Sequence, residues 1–181
     1  FESHDRATAG HSERVAVRAV AVAKALGLDA AHSQTIRVGA LLRDIGNTKL
    51  PLGLLQSATE LTAEQRAQIE RHPVLGEELL RPFRPLARLL PMVRSHHEHL
   101  DGSGYPDGLK APQIPLDVRI VAVADHYEGL CVARPDRAAL SAEAAVQVLQ
   151  QSVQRGELDA AVVAALTNGV RASDRGEATA S

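Results

Sequence analysis

The 181 residues contain a single cysteine, Cys131, so no intramolecular disulfide can staple the fold, and a reducing, cytoplasmic setting fits best. A cationic excess is also lacking. With a formal net charge of -2 and Lys and Arg spread along the chain, there is no broad positive field for duplex nucleic acid. Small substrates or protein partners are expected instead. No run approaches the about 20 apolar residues of a membrane span, and no signal-type segment opens the chain. Because the first residue is Phe1 rather than Met, the chain reads as a piece of a longer protein with an upstream regulatory domain. Internal repeats are missing, as is any alternating pattern long enough for a sheet. What is present is 45% hydrophobic residues in a length that suits one domain with a real core.

The periodicity of those residues is helical. Val15, Ala19, Val22, Ala23 and Leu26 recur at steps of three and four, predicting a helix over about residues 9–26 with Thr8 as its cap, Gly27 as its stop and His11 on the buried stripe. A second helix is expected from Ser33 to about Asp44, with Ile36, Ala40 and Arg43 on one face, so that Arg43 points inward. Thr62 followed by Gln65 is a capping box for a third, and Pro73 places His72 at a break between helices. After the proline-punctuated stretch 82–91, a helix with Met92, Val93 and His96 feeds a glycine loop. Pro115 opens the apolar helix VRIVAVAD, with Asp125 as its last residue. Helices from Ser141 to about Gln154 and from Leu158 to Leu166 complete an all-α bundle of about seven or more helices, with Gly156 and Gly169 beyond their ends. The domain spans 1–170, and residues 171–181 read as a polar, disordered tail. Glu64, Glu70, Glu77 and Glu78 read as a solvated helix face.

Chemistry concentrates in Ser95 to Lys110, SHHEHLDGSGYPDGLK, where adjacent histidines with Glu98 and Asp101 precede a loop rich in turn formers. Imidazoles and carboxylates together suit iron, manganese or zinc, and helical bundles assemble such sites from separate helices. His11, Asp44, His72, His96, His97 and Asp125 fit that description. A carboxylate among aliphatic neighbours is costly unless protonated, paired or metal-bound, which gives Asp44 and Asp125 a reason to have partners. His4, His32, His99 and His126 fit no motif position and are expected to be structural or solvent-facing.

TAGHSERV at 8–15, RDIGN at 43–47, HP at 72–73, HHEHLDGSGYPDGL at 96–109 and the helix ending at Asp125 together resemble the HD-GYP family of cyclic di-GMP phosphodiesterases, within the HD phosphohydrolase superfamily. The likeness runs from about Glu2 to Leu166. It implies an all-helical HD bundle that hydrolyses cyclic di-GMP to pGpG or GMP with divalent transition metals, iron or manganese foremost and zinc as a further option. By that resemblance Asp44 bridges two metals, His72, His96 and His97 complete one site, and His11 and Asp125 belong to the other. Gly104, Tyr105 and Pro106 would form a surface for substrate or a signalling partner, and Arg134 would contact phosphate.

Four departures stand out. Arg43 replaces the histidine that normally precedes the bridging aspartate; a guanidinium stays protonated and has no lone pair for a cation. Asn47 replaces a lysine that contacts a substrate phosphate. Ala7 stands where three-metal members have glutamate, and Asp136 replaces the tyrosine after Arg134 and Pro135. One or two ions are therefore expected, and Arg43 could instead fill the missing ion's place, pair with Asp125 and offer the substrate a fixed charge. Two functions follow: a weakened hydrolase of cyclic di-GMP or a related cyclic dinucleotide, or a catalytically silent sensor or protein-interaction module.

Overall fold

A computed structural model describes residues 10–55, 61–133 and 138–178, with side chains in the last helix up to residue 172. The expected cap Thr8, together with Ala7, His4 and Arg134 to Asp136, lies outside the described residues. The described residues form α1 (His11–Ala25), α2 (Ala30–Leu42), α3 (Leu52–Leu55), α4 (Ala63–Ile69), α5 (His72–Leu80), α6 (Leu90–Ser95), α7 (Leu116–Leu130), α8 (Ala142–Gln154) and α9 (Ala160–Ala178), with 3-10 segments at Ile45–Lys49, Arg84–Leu89 and Ala111–Gln113. There is no strand among them beyond one isolated bridge, Asp101 to Lys110. The expected all-α bundle is what forms.

α7 is the axis of the bundle. Val118, Ile120, Val121, Val123 and Ala124 are fully enclosed, because α1, α2, α6, α8 and α9 all pack against it. Each of the valine and isoleucine side chains contributes roughly 1.5–3 kcal/mol on leaving water. The expectation that Asp125 ends this helix is corrected: it continues to Leu130, because Tyr127, Glu128 and Leu130 prolong the buried face. Glu128 is tolerated there because Arg14 Nε (3.3 Å) and Arg18 Nε (2.9 Å) hold its two oxygens from α1.

Other boundaries follow local chemistry. α2 starts at Ala30 rather than Ser33, because the Asp29 side chain accepts the His32 amide at 2.7 Å. Thr62 and Gln65 make the expected reciprocal capping box, at 3.3 and 2.9 Å. Ser141 caps α8 through the Ala144 amide. Gly169 does not stop α9. A helix-interior glycine costs only about 1 kcal/mol relative to alanine, and Val170 continues the buried stripe beyond it. The tail expected to be disordered from 171 is thus helical to Ala178. Glu77, expected on a solvated face, is 15% exposed and paired with Arg94 at 2.6 Å.

Glycine sets the closest approach in the bundle. A Cβ on Gly46 would overlap the His72 carbonyl oxygen and stand 2.5 Å from the Gly76 amide nitrogen, so only glycine lets the 45–49 turn seat directly on α5. That contact brings Asp44 beside His72. Among the described residues no helix is long and apolar enough to cross a membrane.

Candidate metal centre

Most of the expected site residues sit at helix ends, where capping fixes the backbone. His11 opens α1 and His72 opens α5; Arg43 follows α2, and Asp44 leads into the 45–49 turn. His96 caps the end of α6, with His97 next in the chain. Only Asp125 lies mid-helix.

Asp44, His72, His96 and His97 converge, their ligand-type atoms all within 4.8 Å of one another. Hydrogen bonds to main-chain carbonyls set two of the rings. His72 Nδ1 donates to Ile69 O at 2.9 Å, and His96 Nδ1 donates to Val93 O at 3.0 Å and to Met92 O at 3.2 Å. A carbonyl only accepts, so the proton of each neutral ring is on Nδ1 and the lone pair on Nε2. Those Nε2 atoms face each other at 3.3 Å, and both face Asp44 Oδ1, at 3.2 Å from His72 and 3.7 Å from His96. Two lone pairs and a carboxylate oxygen repel one another unless they share a cation. The donor set of three imidazoles and one carboxylate fits a divalent transition metal.

His97 stays neutral. Burial, then the neighbouring His96, holds its ring well below the ordinary imidazole range. Its ring lies 4.1 Å from that of His96 and stacks on Tyr105 at 4.7 Å, centroid to centroid. The loop carrying Tyr105 is shaped by Glu98, a buried carboxylate that accepts the amides of Asp107 (2.7 Å) and Leu109 (2.9 Å). Arg94 joins Glu77 on α5 to Asp107, which it grips with Nε and Nη2 at 2.7 and 2.8 Å. A side chain on Gly104 would run into the Glu98 Cα and the His97 carbonyl, so the loop lies flat on the histidine segment. Gly104 therefore acts through close packing, with Tyr105 and Pro106 next to it on the loop.

His11 and Asp125 do not join that cluster. Arg43 stands between, wholly buried. Its Nε and Nη2 lie 2.8 and 2.7 Å from Asp125 Oδ1, its Nη2 lies 2.9 Å from Asp44 Oδ2, and its Nη1 donates to Ser12 Oγ and Ala40 O. His11 Nε2 meets the same Asp125 oxygen at 3.2 Å. Burial pushes both carboxyls up, but the Arg43 guanidinium, helped by His11 at Asp125, holds each well below the usual carboxylate range. Arg43 pairs with Asp125 as expected, but its burial keeps it from the substrate contact also expected of it. Asn47 is half-buried, and its Oδ1 has no hydrogen-bond donor among the described residues.

A cleft of about 300 Å³ opens beside His96, His97 and Asp125, lined also by His126 and Leu158. His126 thus faces the centre's surroundings. His99 bonds Ser103 Oγ, and His32 pairs with Asp117 at 2.7 Å. Asp101 takes no part in the cluster; it accepts the Ser103 amide and hydroxyl. Sequence reasoning gave no role to Glu98, Arg94 or Ser12. For Glu98 the signal was an acid inside a histidine run; Ser12 left none, because its role depends on α1 lying against Arg43.

The profile of the HD domain family matches residues 1–162. The chain is 39% identical over 174 residues to the cyclic di-GMP phosphodiesterase response regulator RpfG of Xanthomonas campestris, covering 93% of this chain and 45% of that protein. It is 35% identical to 3'3'-cGAMP-specific phosphodiesterase 3 of Vibrio cholerae, over 81% of this chain and 32% of that one. The chain thus spans less than half the length of these relatives. Its fold matches Bd1817, an HDG"Y"P protein of Bdellovibrio bacteriovorus, with a TM-score of 0.74 at 22% identity, over 89% of this chain and 51% of that chain. With its profile, its helical architecture and its histidine and aspartate centre in agreement, this chain belongs to the HD domain family, which includes the HD-GYP proteins its motifs resemble.

Proposed function

We propose that this domain hydrolyses a phosphodiester bond of a cyclic dinucleotide, cyclic di-GMP foremost, to linear pGpG or GMP, at a metal held by Asp44, His72, His96 and His97. The observation that carries this reading is the convergence of two carbonyl-fixed Nε2 lone pairs on Asp44 Oδ1. The activities named for the related RpfG and cGAMP-specific enzymes support the substrate class. Asp44, His72, His96 and His97 would hold a divalent ion, iron or manganese by resemblance and zinc by donor type, which would supply Lewis-acid polarisation of a phosphoryl oxygen and a lowered pKa for water. The chain's own residues prepare that chemistry. His72 and His96 are locked in the ligand tautomer, His97 is kept unprotonated, and the Glu98-held loop fixes Tyr105 against His97. The cleft beside His97 and Asp125 gives the dinucleotide a place to lie, and the half-buried Gly104–Pro106 loop against His97 is where a signalling partner would engage.

A second reading is a cyclic-dinucleotide sensor without turnover. The observation favouring it is Arg43 buried between Asp44 and Asp125 where the family pattern has a metal-binding histidine. One experiment separates the two. The protein is loaded anaerobically with iron or manganese and incubated with cyclic di-GMP and with 3'3'-cGAMP, and linear product and bound nucleotide are both measured. Product that disappears in His97→Ala establishes the hydrolase. Tight binding without product establishes the sensor, and neither binding nor product sinks both.

A further inference from the structure

We infer that Arg43 is a built-in cation that takes the place of a second metal ion, so that this domain's centre holds one ion rather than two. The inference rests on the reading above that Asp44, His72, His96 and His97 hold metal, and it goes on to fix the number.

The argument begins with the oxygens. Asp44 divides its carboxylate: Oδ1 faces His72 and His96, while Oδ2 is 2.9 Å from Arg43 Nη2. A bridging role would need that second oxygen for a second ion. Asp125 is further committed. Its Oδ1 meets Arg43 Nε at 2.8 Å, Arg43 Nη2 at 2.7 Å and His11 Nε2 at 3.2 Å. Two carboxylate oxygens that another site would use, Asp44 Oδ2 and Asp125 Oδ1, are thus drawn onto one guanidinium, and His11 is turned onto Asp125.

Charge leads to the same count. Two enclosed carboxylates need positive charge beside them, and a guanidinium supplies it permanently, with a planar fork that reaches both. A dication arriving beside it would meet repulsion and find no lone pair on Arg43. Nor is the side chain poised to leave. It is wholly buried, and its Nη1 is tied to Ser12 Oγ at 3.2 Å and Ala40 O at 3.0 Å. Because it reaches no solvent, Arg43 acts as a positioning residue through Asp44 and Asp125 rather than by touching substrate.

The test is a titration of the metal-free full chain with manganese(II), counting bound ions by equilibrium dialysis and recording the electron paramagnetic resonance of the bound ion. We expect one ion per chain with the spectrum of an isolated ion. Two tightly bound ions with an exchange-coupled spectrum would overturn the inference while leaving the metal centre standing. No bound ion would overturn both. Arg43→His, checked for folding by far-UV circular dichroism, is expected to raise the count from one to two and bring in the coupled spectrum. A folded Arg43→His protein that still binds one ion would show that Arg43 is not what excludes the second. Arg43→Lys keeps the charge and is expected to remain at one; a second ion there would overturn the charge argument. Should the histidine variant fail to fold, the wild-type and lysine titrations decide the matter.

Discussion

On one side of Asp44, His72 and His96 turn lone pairs toward Oδ1; on the other, the positively charged guanidinium of Arg43 stands 2.9 Å from Oδ2. The two sides solve the same problem, negative charge enclosed by protein, by opposite means. The histidine side is left short of positive charge and calls for an ion from solution. The arginine side is neutralised by its own sequence. The first is expected to depend on metal supply and the second to be independent of it, although a single aspartate joins them.

The sharpest way to break this contrast is Arg43→Met in the metal-free protein. It leaves Asp44 and Asp125 without their guanidinium, and losing one partner of a buried charge pair costs about 3–5 kcal/mol. Urea denaturation is the measurement. Acid sharpens the result. Both carboxyls sit below their ordinary 3.8 in the folded wild type, so their contribution is complete above that pH and is lost as the pH falls below it toward the folded values. Arg43→Met is expected to lose that protection and to unfold at a higher pH than wild type.

Next in size is the histidine side. His72→Ala is expected to weaken metal binding at least about a hundredfold, the upper end of what loss of an outer-shell partner does, while leaving the Arg43 pairs intact. Calorimetric metal titration checks it. Glu98→Gln is expected to cost about 1–3 kcal/mol, because one carboxamide cannot accept both loop amides and turns an NH2 group toward one of them. Its signature is slower turnover at unchanged metal affinity. The smallest effect is expected for Ser12→Ala, about 1 kcal/mol of stability with no change in ion count, since Arg43 Nη1 keeps the Ala40 carbonyl. A large effect there would mean that the arginine side is held less redundantly than its geometry indicates.

Much of the bundle was legible because helical periodicity and caps are local. Thr62 with Gln65, Pro115 and the apolar run before Asp125 each mark an element. The misplaced boundaries lay where tertiary contacts override local signals. Asp125 looked terminal because Glu128 reads as solvent-facing until Arg14 and Arg18 are seen on the neighbouring helix. Gly169 looked like a stop because nothing local shows that Val170 is buried. In the site, the candidate residues at 44, 72, 96 and 97 stand out from motif order, and the structure brings them together because helix ends present them wherever the bundle closes. The inward direction of Arg43 is legible in its helical face, and pairing with Asp125 is one option the sequence leaves open. Its simultaneous hold on Asp44, Asp125, Ser12 and Ala40 was not readable, because those partners meet only in three dimensions. Glu98 was hidden for a similar reason: its two acceptor bonds run to amides nine and eleven residues away.

The stacking of Tyr105 on His97 also gives the centre its own optical reporter. The chain has two tyrosines and no tryptophan, so its ultraviolet emission comes from two phenols in different surroundings. Tyr105 lies 4.7 Å from the His97 ring, and Tyr127 is buried beneath the guanidinium of Arg18. A paramagnetic ion entering among the histidines would quench the nearer fluorophore more strongly than the other, so loading of the centre could be followed without any label.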